Sequence, residues 1–246
     1  SSSAASDVYK SQVTDYYSIS LFERDVMALL PSLFAENPVA VMTGGSMLYM
    51  DAVCRGMDDI PDTDPDVRRK YAGIYEKEGI VALRMALKLV DPEYYARADL
   101  QNPRRLLRAL EITESSGRPY SSFLKATVRK RDFTIVKAGL TRERGELNGI
   151  IDRRVDRMME QGLEQEAASL ISYRHLNALK TVGYREMFSY LDGTITREEA
   201  VGLIKRNTRR YARRQLTWWK RDRDITWFDA SDHQRITDWI TDQSGV

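Results

Sequence analysis

The chain has 246 residues, 42% of them hydrophobic and 30% charged, with a formal net charge of +2. This composition is typical of one sizeable globular domain or two smaller ones, and it excludes a disordered chain. Arg and Lys interrupt every apolar run before it reaches membrane length, and no signal-peptide pattern opens the chain. The single cysteine, Cys54, excludes an internal disulfide. We therefore expect a cytoplasmic protein without a membrane partner.

The first predicted elements are a helix, a strand, a glycine turn and a second helix. Apolar residues recur at helical spacing between 20 and 34, and "NPVAVMT" (37–43) has the Val-rich composition of a short buried strand. Gly44 and Gly45 then allow a close approach to the backbone. Ser46 opens the next helical stretch, where its hydroxyl fits either a ligand contact or a helix cap. A strand–turn–helix unit indicates an α/β fold.

The segment from 58 to 131 has a different pattern and reads as entirely helical. A polar, proline-rich connection leads to a helix that begins at Asp64–Pro65, and a second helix follows in the same stretch. A third helix begins at Asn102–Pro103 and ends near Gly117. We therefore predict an inserted helical domain at 58–131 within an α/β core formed by 1–57 and 132–246.

The α/β pattern resumes after residue 131. "DFTIVKAGL" (132–140) predicts a strand, and a long charged helix follows that ends or kinks around Gly162. Thr196 and Glu199 have the spacing of a capping box and start another long helix. "ITWFDA" (225–230) predicts a last strand.

The long helix after Thr196 is strongly basic, with nine Lys or Arg among the nineteen positions of 205–223. The cations recur at 205, 209 and 213 and at 206, 210 and 214, which gives two adjacent stripes. Tyr211, Trp218 and Trp219 lie among them. Cations beside aromatic rings suit a nucleic acid with unpaired bases, and the alternative is a solvated helix with inward-facing rings.

Two other segments allow a functional and a structural interpretation. Arg104, Arg105 and Arg108 begin a helix and suit phosphate oxygens, or else form surface ion pairs. "KTVGYREM" (180–187) suits a flipped-out base, or else is a tight connection. His175 and His233 have no neighbouring ligands at metal spacing, and the carboxylates of 58–66 fit a solvated connection, so we expect no protein metal site.

Seven segments, taken in order, resemble the tRNA dimethylallyltransferase (tRNA isopentenyltransferase) family. They are "DYYSISLFERD", "TGGSMLYMDAVCRGMDDIPDTDPDVR", "DLQNPRRLLRALEITESSGRPYS", "GLTRERGELN", "RRVDRMMEQGLEQEA", "LNALKTVGYREMFSYLDG" and "RRYARRQLTWWKRD". The resemblance implies an α/β fold: a P-loop NTPase-like parallel sheet core with an inserted all-helical domain that grips the tRNA anticodon arm.

The resemblance also implies the reaction and its partners. A dimethylallyl group passes from dimethylallyl diphosphate to N6 of the adenosine 3′-adjacent to the anticodon of a tRNA. Negative charge develops on the departing diphosphate, which calls for cations, backbone amides and Mg²⁺, and the adenosine must leave its stack. The implied partners are the anticodon stem-loop and dimethylallyl diphosphate, and we expect a monomer.

Matching the family motifs residue by residue gives the expected site. Ser46 takes the place of a threonine hydroxyl near the reacting atoms, Gly44, Gly45 and Tyr49 belong to the same motif, and Arg154 is assigned to the diphosphate side. The residues expected to bind tRNA are Arg104, Arg105, Arg108, Thr181, Gly183, Tyr184, Arg185, Arg213, Arg214, Gln215, Thr217 and Trp218.

Three departures from the family pattern limit this match. Ile150 stands where arginine is usual, no Gly-Lys dipeptide of a P-loop occurs, and "SDVYK" (6–10) resembles the family's S-D-S-R-Q-V-Y-K with three residues fewer. We expect Asp7 to be the general base, if the printed sequence is joined across omitted residues. The alternatives are a P-loop-type nucleotide or small-molecule kinase and a non-catalytic RNA-binding fragment.

Overall fold

The computed structural model describes residues 13–15, 17–125 and 129–244, so the candidate general base Asp7 lies outside the described residues. The chain divides into two compact units. The first comprises Ser1–Cys54 and Asp132–Val246, and the second comprises Arg55–Arg131. The predicted boundary after residue 131 coincides with this division, and the earlier boundary, predicted after residue 57, lies three residues away.

The order of elements alternates long helices with two short strands. In chain order they are α1 (Ile19–Glu36), α2 (Met47–Arg55), α3 (Pro65–Val90), α4 (Pro92–Arg97), α5 (Pro103–Ser116), β1 (Lys137–Thr141), α6 (Arg144–Glu160), α7 (Leu163–Ser169), α8 (Tyr184–Leu191), α9 (Arg197–Trp219), β2 (Ile225–Asp229) and α10 (His233–Ser244). Among the described residues, no helix is both long enough and apolar enough to cross a membrane.

The two strands of the first unit pair in parallel, with Lys137 opposite Ile225 and Thr141 opposite Asp229. β2 matches its predicted position, whereas β1 begins five residues later than the predicted start at 132. A side chain at Gly139 would lie within 2.7 Å of Ile225 and Trp227, so only glycine fits at this position of β1.

The prediction of a strand over 37–43 is wrong. Residues 37–46 belong to no helix or strand, and Val41 is 77% exposed. A strand forms only when a neighbouring strand accepts its hydrogen bonds, and none of the residues that the structure describes pairs with this segment. The Val-rich composition indicates strand propensity, but a strand also needs a partner strand, which the local sequence does not specify.

The core of the first unit lies between α6, α7, α8 and α9. Its buried members are Val155, Leu163, Ala167, Leu179, Met187, Phe188, Ala200 and Ile204. As predicted, Gly162 separates α6 from α7, with φ +98, and a capping box formed by Thr196 and Glu199 starts α9. This core holds α9 in place along its first half.

The second unit is built on α3 and α5. α3 begins after its cap Asp64, α5 begins after Asn102, and Gly117 ends α5 in the left-handed region, so these three predicted helix boundaries are confirmed. Gly79, with φ +73, also interrupts α3. The buried residues between the helices are Tyr71, Leu83, Leu87, Leu106, Ala109 and Leu110. Every regular element among the described residues of this unit is a helix.

Candidate active site

Ser46 stands at the start of α2, directly after the two glycines. Its carbonyl accepts a hydrogen bond of 3.0 Å from the amide of Met50, which makes Ser46 the residue where the helix begins. Its side chain is exposed, and its hydroxyl bonds to none of the residues that the structure describes. The Ser46 hydroxyl therefore does not cap the helix, and it faces solvent.

The first turn of α2 offers backbone donors at the same place. The N–H groups of the first residues of a helix have no carbonyl one turn earlier to bind, and they carry partial positive charge. In α2 these are the amides that precede Met50, the first residue bonded within the helix. Within the described ranges neither the hydroxyl nor these amides are bonded, and a hydroxyl beside first-turn amides suits an anionic oxygen.

The C-terminal half of α9 is fastened to this turn by two side-chain hydrogen bonds. Gln215 Nε2 donates to the carbonyl of Gly45 at 2.6 Å, and Trp218 Nε1 donates to Asp51 Oδ2 at 2.9 Å. The two donors are three residues apart, so they lie one above the other on the helix surface. Gln215 and Trp218, both predicted to bind tRNA, thus use their side-chain N–H donors within the chain.

Tyr49 and Thr217 also have partners within the chain. The Tyr49 ring stacks on Phe22 with centroids 4.6 Å apart and an angle of 15° between the planes. The Thr217 hydroxyl donates to the carbonyl of Arg213 at 3.0 Å, a bond inside α9 itself. Tyr49 therefore braces α2 against α1, and the exposed Thr217 lies on the outer side of the basic helix.

The two stripes of cations on α9 have different surroundings. Lys205 forms an ion pair of 2.6 Å with Asp156, and Arg209 pairs with Asp152, so these two members of the first stripe hold α9 against α6. At the start of α9, Arg197 pairs with Glu164 at 2.8 Å. The other four arginines of 197–219 are exposed and form no ion pair with any residue in the described part of the chain. They are Arg206, Arg210, Arg213 and Arg214.

Successive residues of a helix are rotated by about 100°, which places these four exposed arginines within about 100° of the circumference of α9. Gln215 and Trp218 lie next to this arc, on the side that meets α2. Arg214 also lies over the ring of Tyr211, with 5.6 Å between the guanidinium carbon and the ring centroid. Two cations of the basic helix are thus used in ion pairs within the chain, and phosphate binding by the four exposed arginines stays a prediction.

The predicted base-binding segment around Gly183 is anchored by a buried glutamate. Gly183 has φ +107, and its amide donates to Glu186 Oε2 at 2.8 Å, while Asn207 of α9 donates to Glu186 Oε1 at 2.8 Å. Glu186 is only 4% exposed. Sequence reasoning missed Glu186, although its place three residues after Gly183 is the spacing of a helix-capping glutamate.

The side chains of this segment divide into anchored and free ones. The Tyr184 hydroxyl donates to Glu166 Oε1 at 2.7 Å, and burial together with this bond raises the pKa of Tyr184 to about 12. Arg185 is exposed and lies 3.5 Å from Glu186, and Thr181 is exposed with its hydroxyl bonded to the carbonyl of Ala178. Tyr184 is thus fixed, while Arg185 remains open to a ligand.

Arg154 lies on α6 and is exposed. Val155 beside it is buried in the core, whereas Asp152 and Asp156, which face α9, are on another side of α6. Within 129–244 Arg154 forms no ion pair, so its predicted contact with diphosphate stays a prediction.

In the second unit, the three arginines of α5 differ in exposure. Arg104 and Arg105 are exposed, whereas Arg108 is half-buried and donates to Thr63 Oγ1 at 2.5 Å. The neighbouring Glu111 is buried, and this burial raises the pKa of its carboxyl, although Arg68 and Arg108 act in the opposite direction. The tRNA contact predicted for the three arginines is not tested by these contacts.

The described residues contain no group of three or more His, Cys, Asp or Glu close enough to hold a metal ion. The carboxylate of Asp51, on α2, accepts a hydrogen bond from Trp218. These residues alone do not form a Mg²⁺ site.

The chain matches the family model described as IPP transferase over residues 8–222. It is 50% identical over 229 residues to tRNA dimethylallyltransferase 1 of Phocaeicola vulgatus, which covers 93% of this chain and 76% of the relative. It is 53% identical over 216 residues to tRNA dimethylallyltransferase 2 of Porphyromonas gingivalis, which covers 88% of this chain and 72% of the relative.

Two solved structures resemble the fold. One is the full-length tRNA isopentenylpyrophosphate transferase of Bacillus halodurans, with a TM-score of 0.63 and 33% identity over 97% of this chain and 77% of that one. The other is a eukaryotic dimethylallyltransferase described as acting on tRNA, with a TM-score of 0.69 and 23% identity over 95% of this chain and 61% of that one. At that identity the second likeness shows the fold alone, which is the α/β P-loop-like fold with a helical domain.

Proposed function

The chain belongs to the IPP transferase family, and from this premise we propose that it is a tRNA dimethylallyltransferase that moves a dimethylallyl group from dimethylallyl diphosphate to N6 of the adenosine 3′-adjacent to the anticodon. The named relatives carry that activity in their names and are identical to this chain at about half of the aligned positions. The described residues supply groups for the donor, for the RNA and for the connection between them.

The donor binds at the start of α2. The free first-turn amides and the exposed Ser46 hydroxyl are directed at anionic oxygen, and the departing diphosphate is the most anionic group of the reaction. Donors that are fixed before the reaction stabilise charge as it develops, without the cost of reorienting. Gly44 leaves the backbone bare for this approach, whereas the space beside Gly45 is filled by Gln215.

The RNA binds along the exposed arginines of α9. Guanidinium groups form paired hydrogen bonds with phosphate oxygens, and Arg206, Arg210, Arg213 and Arg214 are free of ion pairs within the described residues. Arg185 adds a further exposed cation beside the anchored turn at Gly183. An adenosine that leaves its stack can then reach Ser46.

Two parts of the proposal concern groups beyond the described residues. We assign proton removal from N6 to Asp7. Mg²⁺ would be held mainly by the diphosphate and water, because the described residues form no metal cluster, and this ion commonly binds through substrate phosphates. We also propose that the protein acts as a monomer in the cytoplasm, where its tRNA substrate would be met.

The observation that carries the proposal is the pair of hydrogen bonds from α9 to the turn and to α2, at Gly45 and Asp51. It joins the cationic helix to the Ser46 turn in one unit. A small-molecule kinase has no use for an exposed arginine face beside its reacting hydroxyl, and the relatives reported above are transferases. The kinase alternative therefore has no support.

A prenyl-transfer assay with labelled dimethylallyl diphosphate and a synthetic anticodon stem-loop tests the proposal. Label should appear on the stem-loop whose adenosine is 3′-adjacent to the anticodon, and a stem-loop with guanosine at that position should stay unlabelled. Equal labelling of both would contradict the assignment of the acceptor. Tight, salt-sensitive binding without transfer would favour a non-catalytic RNA-binding protein, and added EDTA should stop transfer if Mg²⁺ is required.

A further inference from the structure

Gln215 contacts the backbone one bond away from Ser46. Its Nε2 donates to the Gly45 carbonyl at 2.6 Å, and that carbonyl belongs to the same peptide unit as the N–H of Ser46. A methyl group added at Gly45 would overlap Gln215 Nε2 and lie 3.2 Å from its Cδ, so the amide rests directly on the backbone. Gln215 therefore holds the peptide that precedes the candidate reacting hydroxyl.

Because the peptide unit is planar and trans, this contact also sets the direction of the Ser46 N–H. The carbonyl and the N–H of one trans peptide unit point in opposite directions, and no cis bond occurs among the described residues. With the Gly45 carbonyl directed at Gln215, the N–H of Ser46 points away from α9. Rotation of this peptide would break the hydrogen bond and redirect the N–H, at a site rich in glycine where such rotation is otherwise easy.

A second contact makes the coupling rigid. Trp218 binds Asp51, which lies one further turn along α2 from Ser46, so α9 holds the start of α2 at two points. Arg214 precedes Gln215 directly and is one of the four exposed arginines, so the cationic face and the anchoring face are adjacent. A shift of α9 on binding polyanion would reach the turn through these two side chains.

We propose that Gln215 is a positioning residue that fixes the Gly45–Ser46 peptide and thereby aims the Ser46 amide and hydroxyl at the diphosphate end of the prenyl donor, an inference that rests on the proposed function. Gln215 acts through Gly45 and touches no reacting atom. Its amide is then occupied within the chain, and the arginines beside it make the contact with RNA.

Gln215→Met tests this role, because methionine keeps the length of the side chain and removes the donor. Gln165→Met is the matched control, since Gln165 is exposed on α7 away from the turn. Amide hydrogen exchange of Met50, whose N–H donates to the Ser46 carbonyl, is measured without any substrate, so this readout does not depend on enzymatic activity. We expect exchange of this first bonded amide of α2 to be about tenfold faster in Gln215→Met and unchanged in Gln165→Met, the size of effect expected for one net hydrogen bond.

Steady-state kinetics on the same proteins test the consequence for the reaction. We expect kcat/KM for dimethylallyl diphosphate to fall about tenfold in Gln215→Met, with stem-loop affinity within twofold of the wild type. In a Ser46→Ala background the same substitution should have a smaller effect, because both changes act on one peptide. Strict additivity, together with an equal loss of stem-loop affinity, would assign Gln215 a general structural or RNA-binding role and overturn the inference.

The two readouts separate the inference from the proposed function. Unchanged exchange in Gln215→Met overturns the positioning role, whatever the kinetics show. Faster exchange with unchanged kcat/KM overturns its link to the donor. A wild-type protein that transfers no label contradicts the proposed function, while the exchange experiment still decides whether Gln215 holds the peptide.

Discussion

The indole N–H of Trp218 donates to the carboxylate of Asp51 at 2.9 Å, although the two residues are 167 positions apart in the chain. Both side chains are half-buried. Hydrogen bonds to a charged partner are stronger than neutral ones, so this contact contributes to holding α9 on α2. It joins the last turn of the basic helix to the helix that begins at Ser46.

Trp218→Phe should lower the free energy of unfolding by about 1–2 kcal/mol, because the ring is retained while Asp51 loses its donor. Urea unfolding followed by circular dichroism measures this change. Trp219→Phe is the control, since its indole makes no hydrogen bond to any residue in the described ranges, and it should change stability by clearly less. Equal losses in the two variants would show that ring size, and not the bond to Asp51, determines the effect.

Arg214→Ala should weaken stem-loop binding and reduce the slope of log affinity against log salt by about one unit. Each phosphate contact releases roughly one counterion, so losing one contact makes binding less salt-dependent. Fluorescence anisotropy over a series of salt concentrations measures the slope.

Arg174→Ala is a suitable comparison for that measurement. Arg174 forms a two-pronged ion pair with Asp192 and lies off the basic helix, so its removal should leave the salt slope unchanged. If Arg214→Ala leaves the slope as it is in the wild type, Arg214 does not contact phosphate.

Local features of the fold were predictable because their causes lie within a few residues. The capping box of Thr196 and Glu199, the break at Gly162 and the start of α3 at Asp64 all depend on short-range hydrogen bonds or backbone conformation. Strand pairing is different, since the segment around Val41 needs a neighbour from elsewhere in the chain. The prediction of β2 is therefore right because β2 pairs with β1, and the prediction of a strand at 37–43 is wrong because no described residue pairs with it.

The site was predictable as a set of residues but not as a set of contacts. Helical periodicity indicated two stripes of cations on α9, yet it could not tell that Lys205 and Arg209 meet Asp156 and Asp152. The available signal was that the two cations and the two carboxylates are each four residues apart, at 205 and 209 and at 152 and 156. Nothing local could reveal that Gln215 binds Gly45, a residue 170 positions away.

Two glutamates on α5 should give opposite pH dependences of stability. Burial raises the pKa of Glu111 in the folded protein, so its contribution is greatest below the pKa of the unfolded chain and is lost as pH rises through the folded pKa. The difference in stability between Glu111→Gln and the wild type should therefore shift in favour of the variant as pH rises from about 4 to 7.

Glu114 provides the comparison of opposite sign. Its hydrogen bonds with Lys70 and Tyr71 lower its pKa, so its contribution is present above the unfolded pKa and is lost as pH falls through the folded pKa. Glu114→Gln should be less stable than the wild type at pH 7, and this difference should shrink on acidification. Urea titrations at several pH values measure both trends, and trends of the same sign would contradict the assignment.

Ser46→Ala should reduce turnover by at least about tenfold while stem-loop affinity stays within about twofold, because the hydroxyl is proposed to act on the reacting atoms only. Rapid-quench measurement of label transfer and a separate binding titration give the two numbers. Ser46→Thr is the conservative variant and should retain activity, since it keeps the hydroxyl. A loss of RNA affinity larger than the loss of turnover would move Ser46 out of the reacting centre.

Gly45→Ala should impair both the fit of α9 and the reaction, because the added methyl overlaps Gln215 Nε2. Gly44→Ala is the matched control, since a methyl there meets only Met50 Sδ at 3.9 Å, an ordinary contact. Thermal unfolding and prenyl transfer are measured for both variants. We expect a clear loss of stability for Gly45→Ala and little change for Gly44→Ala.

Combining Gly45→Ala with Gln215→Ala removes the overlap and should restore stability without restoring transfer, since the peptide before Ser46 then lacks its hydrogen-bond donor. Restored transfer in this double variant would show that the space at Gly45, and not the bond from Gln215, is what the reaction needs.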